Sequence, residues 1–410
     1  MSTNGKNGHG PLSGIRIIDI SIYQNGPFAT AMLADLGADV IKIEDPSVGG
    51  DPGRTVKTPA YAEQRGIRHY FETCNRGKKS VTLNLKHPKG QEAFQKLVKT
   101  ADVVVMNIRK DAARRLGADY ESLRKINPGI IRAANTGFGP QGPDTGMAVF
   151  DSIGQARSGF TYVTADPDGT PAHNGEFGFA DQVGAIMLAY SVLAALVARE
   201  RQGVGQNVEV SQLGSVMELE ALGLNRFLIG REHPRRQPRT ALRNPLSNSY
   251  KCKDGKWVAI MCPQGDRKWK EIAHGIGKTE WLSDPRYATA EARQKNSAEL
   301  TKLLDGVFAQ KPRDEWVKTM RDLDVPTSPV QSFEDLEKDP QVLANDYIIT
   351  LNHPKAGPIS MVGVPIEFSG TPPKVTAVAP TYSQNTEEVL RSLGYDPGDI
   401  EAMRGEKVIA

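Results

Sequence analysis

The sequence predicts an α/β protein: an open, doubly wound sheet of parallel strands followed by a second, smaller α/β domain. Three observations carry this expectation. Strand and helix signals alternate through the first third of the chain. At ~100–200 residues per domain, 410 residues allow two to three domains with ample buried core. The composition, 39% hydrophobic and 24% charged, is that of a folded globular chain and excludes a largely disordered one.

Residues 1–10 (MSTNGKNGHG) are polar and Gly-rich, predicting a disordered tail without the apolar segment of a secretory signal. The run GIRIIDI (14–20) reads as the first strand, 28–36 as a helix stopped by Gly37, and DVIKI (39–43) as the next strand. Strand, short helix and strand imply a right-handed crossover between parallel strands. Further strands are predicted at 80–85, 103–106 and 130–134, with helices at 88–99 and 119–125 between them. In such a sheet, ligands bind at the carboxyl ends of the strands. The uncharged stretch 182–198 is shorter than the ~20 apolar residues of a membrane span and contains Gln, Gly, Tyr and Ser, so a buried helix is expected. A strand at 207–210 and a helix at 212–222 follow. Residues 231–243 hold five arginines and no apolar period, which suits a solvated linker or, alternatively, a cationic edge near an anionic ligand. Strands near 249–250 and 257–261, with helices at 268–276 and 298–308, outline the smaller domain. A further crossing at 326–330 and a Pro- and Gly-rich return ending in a helix at 387–393 complete the chain.

Several function classes are excluded by what the chain carries. A formal net charge of +3 is too small to make nucleic acid or an anionic membrane the main partner. Cys74, Cys252 and Cys262 have no metal-ligand spacing and cannot all pair with one another, which argues for a reducing cytoplasm. No histidine lies in an HxxxH or HExxH pattern, so no metal site is expected. The loop after the first strand, Ser21-Ile22-Tyr23-Gln24-Asn25-Gly26-Pro27, lacks GxGxxG; neither a phosphate loop nor a GxSxG elbow is present. Asp181 is the most interesting carboxylate, because it immediately precedes the apolar helix. It suits an N-cap there. The same helix terminus would favour its ionised form and leave it able to act as a nucleophile.

The motifs in order are specific. LSGIRIIDISIYQNGPFATAMLADLGADVIKIE (12–44), CNRGKKSVTLNLK (74–86), RRLGADYESLRKINPGIIRAANTGFGPQGP (114–143), FDSIGQARSG (150–159) and LAALVARERQGVGQNVEVS (193–211) are followed by WLSDPRYATAEAR (281–293), DVPTSPV (324–330) and LGYDPGDIEAM (393–403). Together they resemble the class III CoA-transferases, the CaiB/BaiF family of formyl-CoA and carnitine CoA-transferases that also contains acyl-CoA racemases. The resemblance covers the chain beyond its tail.

It implies a large Rossmann-like CoA-binding domain (11–225), a small domain with its linker (226–330) and a segment returning to the large domain (331–410), in an interlaced, ring-like homodimer. It also implies an enzyme that exchanges CoA between an acyl-CoA thioester and a carboxylic acid. Asp181 matches the family nucleophile, which forms an aspartyl-CoA thioester. No permanently bound cofactor is needed, since the CoA thioester is itself a substrate. Gln24 matches a glutamine beside the intermediates, where its amide would face a developing oxyanion. Asn25, Arg54, Asn75, Lys78, Asn107 and Arg115 are the expected CoA contacts. Asp45 and Ala148 stand where the formyl-CoA branch has an arginine and a lysine, with Arg54 the nearby cation that would compensate. Arg243-Asn244-Pro245-Leu246-Ser247-Asn248 replaces that branch's glycine-rich flap, which disfavours formate and oxalate. Phe150 occupies the position of the racemase histidine, so two-base epimerisation lacks a partner. A transferase is therefore expected over a racemase or one subunit of a heteromeric transferase. The expected acids are dicarboxylic, aromatic or branched, with succinyl-CoA or acetyl-CoA as donor.

Overall fold

The computed structural model describes residues 10–172, 175–234 and 236–410. Of the expected tail at 1–10, all but Gly10 lies outside the described residues. The chain forms two compact units. The larger runs to Val163 and adds Ala172–Pro234 and Leu343–Ala410; the smaller comprises Thr164–Pro171 and Arg235–Val342.

The larger unit is built on six strands: β1 (Arg16–Asp19), β2 (Asp39–Glu44), β3 (Lys79–Thr82), β4 (Val103–Met106), β5 (Ile131–Thr136) and β6 (Asn207–Ser211). Their spatial order is β3-β2-β1-β4-β5-β6, all parallel. The central strand β4 is the continuous apolar run VVVM, buried on both faces, as a helix-covered parallel sheet requires. Ile17 of β1 points to the face covered by Ala29, Leu33, Leu188 and Val192. Its neighbour Ile18 points to the opposite face, packed by Phe94, Leu97 and Leu123 together with Ile400 and Met403 from the C-terminus.

Four helices matter for the site: α1 (Asn25–Asp35), α2 (Asp151–Ser158), α3 (Phe179–Gln202) and α4 (Gln212–Leu219). Helix α1 begins three residues before the expected 28–36, since Pro27 is tolerated in a first turn whose N–H groups have no helical partner. Helix α3 is 24 residues long and differs from the expected buried helix 182–198. It is apolar and long enough to cross a membrane by length and composition. One side, including Gly184, Leu188 and Val192, is buried, while Ile186, Tyr190 and Val197 are exposed. A hairpin, Ile348–His353 with Gly357–Val362, occupies part of the Pro- and Gly-rich return, where the sequence showed no strand. Its tight reversal uses Gly357 at φ +69°.

The smaller unit has an antiparallel sheet of Ser247–Lys251, Trp257–Met261 and Thr327–Val330. Its core gathers Tyr250, Trp269, Leu300, Phe308 and Trp316. Within the Arg-rich stretch, Arg239 forks onto both carboxylate oxygens of Asp305 (2.7 and 2.6 Å) and lies over the Trp257 ring. Arg243 lines a cavity of about 250 Å³ with Asn244, Pro245 and Arg293. Arg235 lies outside the described residues.

Candidate functional site

The order in which strands are added reverses between β1 and β4, the topological switch point where an open parallel sheet leaves a crevice at its carboxyl edge. The loop after β1, the residue after β4 and the first turns of α3 and α4 supply polar groups there.

Asp181 is the third residue of α3, not its cap. Gly178 occupies the cap position in a left-handed conformation (φ +62°, ψ +38°) and has no side chain to bond the helix. Its conformation favours glycine, and a Cβ at Gly178 would fall 2.3 Å from Gln24 Nε2 and displace that side chain. Capping comes instead from Asp151, the first residue of α2. Its Oδ1 accepts the backbone N–H of Ala180 (2.7 Å) and of Asp181 (3.1 Å), and its other oxygen accepts from Gln155 Nε2. The expected capping role thus passes to a residue 30 positions earlier, and the carboxylate of Asp181 is left for other work.

That carboxylate is held at one oxygen. Asn25 Nδ2 donates to Oδ1 at 3.0 Å, and Gln212 Nε2, from the first residue of α4, donates to the same atom. Among the described residues nothing hydrogen-bonds Oδ2. Burial pushes the carboxyl up to about 6; the amide of Asn25 opposes this, the nearby charge of Asp151 reinforces it, and the amide of Gln212 opposes it again. The result is a carboxylate that is ionised at neutral pH, oriented by neutral donors and carrying one bare oxygen. This combination suits a nucleophile.

Gln24 precedes α1, with its side chain against Gly178 and no hydrogen bond to its amide among the described residues. Its free N–H groups are available to an oxyanion formed near Asp181. Asn107, just beyond β4, accepts from Ile22 N (2.9 Å) and donates to Ile22 O (2.7 Å) and Asn25 Oδ1 (3.2 Å). Asn107 and Asn25, both expected as CoA contacts, form a relay of amides ending on Asp181.

Three other expected CoA contacts point inward. Lys78 is fully buried, with each ammonium proton used: Asp19 Oδ2, Pro27 O and Asn75 Oδ1 all lie 2.8 Å from Nζ. Burial lowers its pKa to about 8 despite the pull of Asp19. Asn75 is buried as well, its Nδ2 donating to Phe71 O (3.3 Å). Arg54 grips Glu44 through Nε and Nη2, both at 2.7 Å, and its guanidinium sits 3.8 Å from the centre of the Phe71 ring. It therefore does not stand in for the cations missing at Asp45 and Ala148; Asp45 itself pairs with Lys86 (3.0 Å). Arg115 is exposed at the end of the short helix Lys110–Arg115 and fits a phosphate contact. Phe150 is 68% exposed and meets the Tyr23 ring edge-on at 6.3 Å. The sequence reads Asp151, in FDSIGQARSG, as a helix-capping residue, and it does cap, on α3; Gln212 was not singled out. Its one available signal is position, since it opens a helix that reaches the carboxyl edge of the sheet. Among the described residues, no group of three or more His, Cys, Asp and Glu converges to hold a metal ion.

Comparison with known proteins shows the family. Residues 12–386 match the model of CoA-transferase family III. The chain is 31% identical over 409 residues to (R)-2-hydroxy-4-methylpentanoate CoA-transferase of Clostridioides difficile, covering 97% of this chain and 99% of that protein. It is 32% identical over 394 residues to succinate–glutarate CoA-transferase of Agrobacterium fabrum, covering 93% and 96%. The crystal structure of a CaiB/BaiF family protein from Brucella suis superposes with a TM-score of 0.83 at 30% identity, over 94% of this chain and all of that one. The chain belongs to CoA-transferase family III, the CaiB/BaiF family, and is a CoA-transferase.

Proposed function

We propose that this enzyme moves CoA from an acyl-CoA to a second organic acid through a covalent aspartyl-CoA thioester on Asp181. The observation that carries the proposal is the asymmetric holding of its carboxylate, with Oδ1 bound by Asn25 and Gln212 and Oδ2 bare. Oδ2 attacks the thioester carbonyl, expelling CoA as the thiolate and forming a mixed anhydride between Asp181 and the donor acid. The thiolate then attacks the carbonyl carbon of Asp181, releasing the donor acid as a carboxylate and forming the aspartyl thioester. The acceptor carboxylate attacks that thioester, expelling the thiolate and forming a second anhydride. The thiolate finally takes the new acyl group and restores Asp181. Each step exchanges one acyl bond for another and needs no ATP. The unbound amide of Gln24 is placed to donate to the oxyanions on this path.

The exposed Tyr23–Phe150 pair supports an acceptor with an apolar or extended body. The relatives named above act on a branched hydroxy acid and on dicarboxylic acids, and we assign this enzyme the same classes, with succinyl-CoA or acetyl-CoA as donor. Arg115 is the proposed phosphate contact. The exposed apolar side of α3 supports a homodimer, and three free, buried cysteines support a reducing cytoplasm. A panel of these donors and acids tests the reading. Transfer should appear with the wild type and vanish in Asp181→Ala with the fold intact. Exchange of substrate α-hydrogen into D2O without any acceptor acid, and without transfer, would make the protein an isomerase instead.

A further inference from the structure

We propose that Asp51 is a positioning residue for the reaction, holding Tyr23 in a left-handed turn so that the next two side chains, Gln24 and Asn25, face Asp181. The inference rests on the reading of Asp181 as nucleophile.

Tyr23 has φ +64°, the left-handed region that disfavours any residue bearing a Cβ. Its side chain is 38% exposed, so core packing does not hold it there. Its backbone N–H donates to Asp51 Oδ1 at 3.0 Å, and the same oxygen takes the N–H of Gly53 at 2.7 Å. Asp51 is buried, and its Oδ2 lies 2.7 Å from Lys42 Nζ. Lys42, buried too, donates to the carbonyl of Ser21 at 2.8 Å. One ion pair therefore grips both ends of the turn, its anion at the N–H of residue 23 and its cation at the C=O of residue 21. Asp51 is anchored from behind, since its own N–H donates to Glu44 Oε2 (3.0 Å) and Glu44 is bound by Arg54. Without the anion, Tyr23 loses the acceptor that offsets its strain. Relaxation to negative φ would turn Gln24 and Asn25 away, breaking the 3.0 Å contact from Asn25 to Asp181.

The test measures how fast the full chain becomes labelled at Asp181 by hydroxylamine during incubation with saturating succinyl-CoA or acetyl-CoA and no acceptor. Asp51→Ala should label at least tenfold more slowly than wild type, and Asp51→Asn, which keeps the shape and loses the charge, at least threefold. Adding Tyr23→Gly should restore threefold or more in either background, because glycine adopts the left-handed turn without strain. General destabilisation would not be relieved that way. Circular dichroism and thermal unfolding identify the folded variants, and the asparagine variant carries the test if the alanine variant does not fold. Labelling within twofold of wild type in a folded variant, or a loss that Tyr23→Gly leaves unchanged, overturns the inference. A wild type that never labels overturns the reading of Asp181 beneath it.

Discussion

Asp19 and Asp181 lie at the same edge of the parallel sheet and are stabilised in opposite ways. Asp19 is fully buried. Burial would raise its pKa, but Lys42 and Lys78, with hydrogen bonds from Lys78 and Ser21, hold it far below the usual carboxylate range. Its Oδ2 faces Lys78 Nζ at 2.8 Å and accepts from Thr30 Oγ1 at 2.8 Å, while Oδ1 takes the N–H of Ser21 at 2.9 Å. With every position filled, it is a strut. Asp181 has amides in place of cations and donors on one oxygen only. A carboxylate paired with ammonium groups is electron-poor and occupied. One oriented by neutral amides keeps its basicity and an open oxygen. The difference between strut and nucleophile here lies in the neighbours.

Removing the charge of each residue should therefore have opposite effects on stability. Asp19→Asn leaves two buried ammonium groups short of a partner and should cost about 3–5 kcal/mol in denaturant unfolding. A loss below 1 kcal/mol would remove Asp19 from the role of strut. Asp181→Asn should stabilise at high pH. The folded carboxyl titrates near 6 against 3.8 for the ordinary group, so the native state binds the proton more tightly. Wild-type stability then falls as pH rises from about 4 through 6, and the variant escapes that fall. At ~1.4 kcal/mol per pH unit, the gain at pH 8 is on the order of 2–3 kcal/mol and vanishes below pH 4. Parallel unfolding of both proteins across this range measures it, and an unchanged difference would contradict the burial argument.

Gln212→Leu sharpens the comparison at smaller scale. It removes a hydrogen bond that favours the ionised form, so labelling of Asp181 should reach half its plateau at a higher pH than in the wild type. An unmoved profile would make Gln212 a packing residue. The smallest effect belongs to Arg115→Ala. An exposed charge contact is worth ~0.5–1 kcal/mol, which is about two- to fivefold in KM for the acyl-CoA, with kcat retained. Lys78→Met, in contrast, should damage the fold before it weakens CoA binding.

These cases also mark what was legible in the sequence. Strands β1, β2, β4 and β5 could be read because a parallel sheet buried on both faces needs largely apolar segments, as in VVVM of β4. Asp181 could be located because an acidic residue opening an apolar helix is a local signal. Its freedom could not be read, since that depends on Asp151 taking over the cap from another helix. The inward turn of Lys78 was hidden for the same reason. Asn75-Arg76-Gly77-Lys78-Lys79 has the look of a charged surface, and only Asp19, 59 positions away, makes burial of that ammonium tolerable. Gln212 lies at a strand-to-helix junction whose meaning appears once the sheet order brings β6 and α4 beside the start of α3.

The most direct measurement is mass spectrometry of the peptide containing Asp181 after the enzyme has met an acyl-CoA donor alone and been quenched with hydroxylamine. A hydroxamate at Asp181, absent without donor and absent in Asp181→Ala, is the predicted result. An unmodified Asp181 from enzyme that is turning over with the same donor would contradict the covalent route.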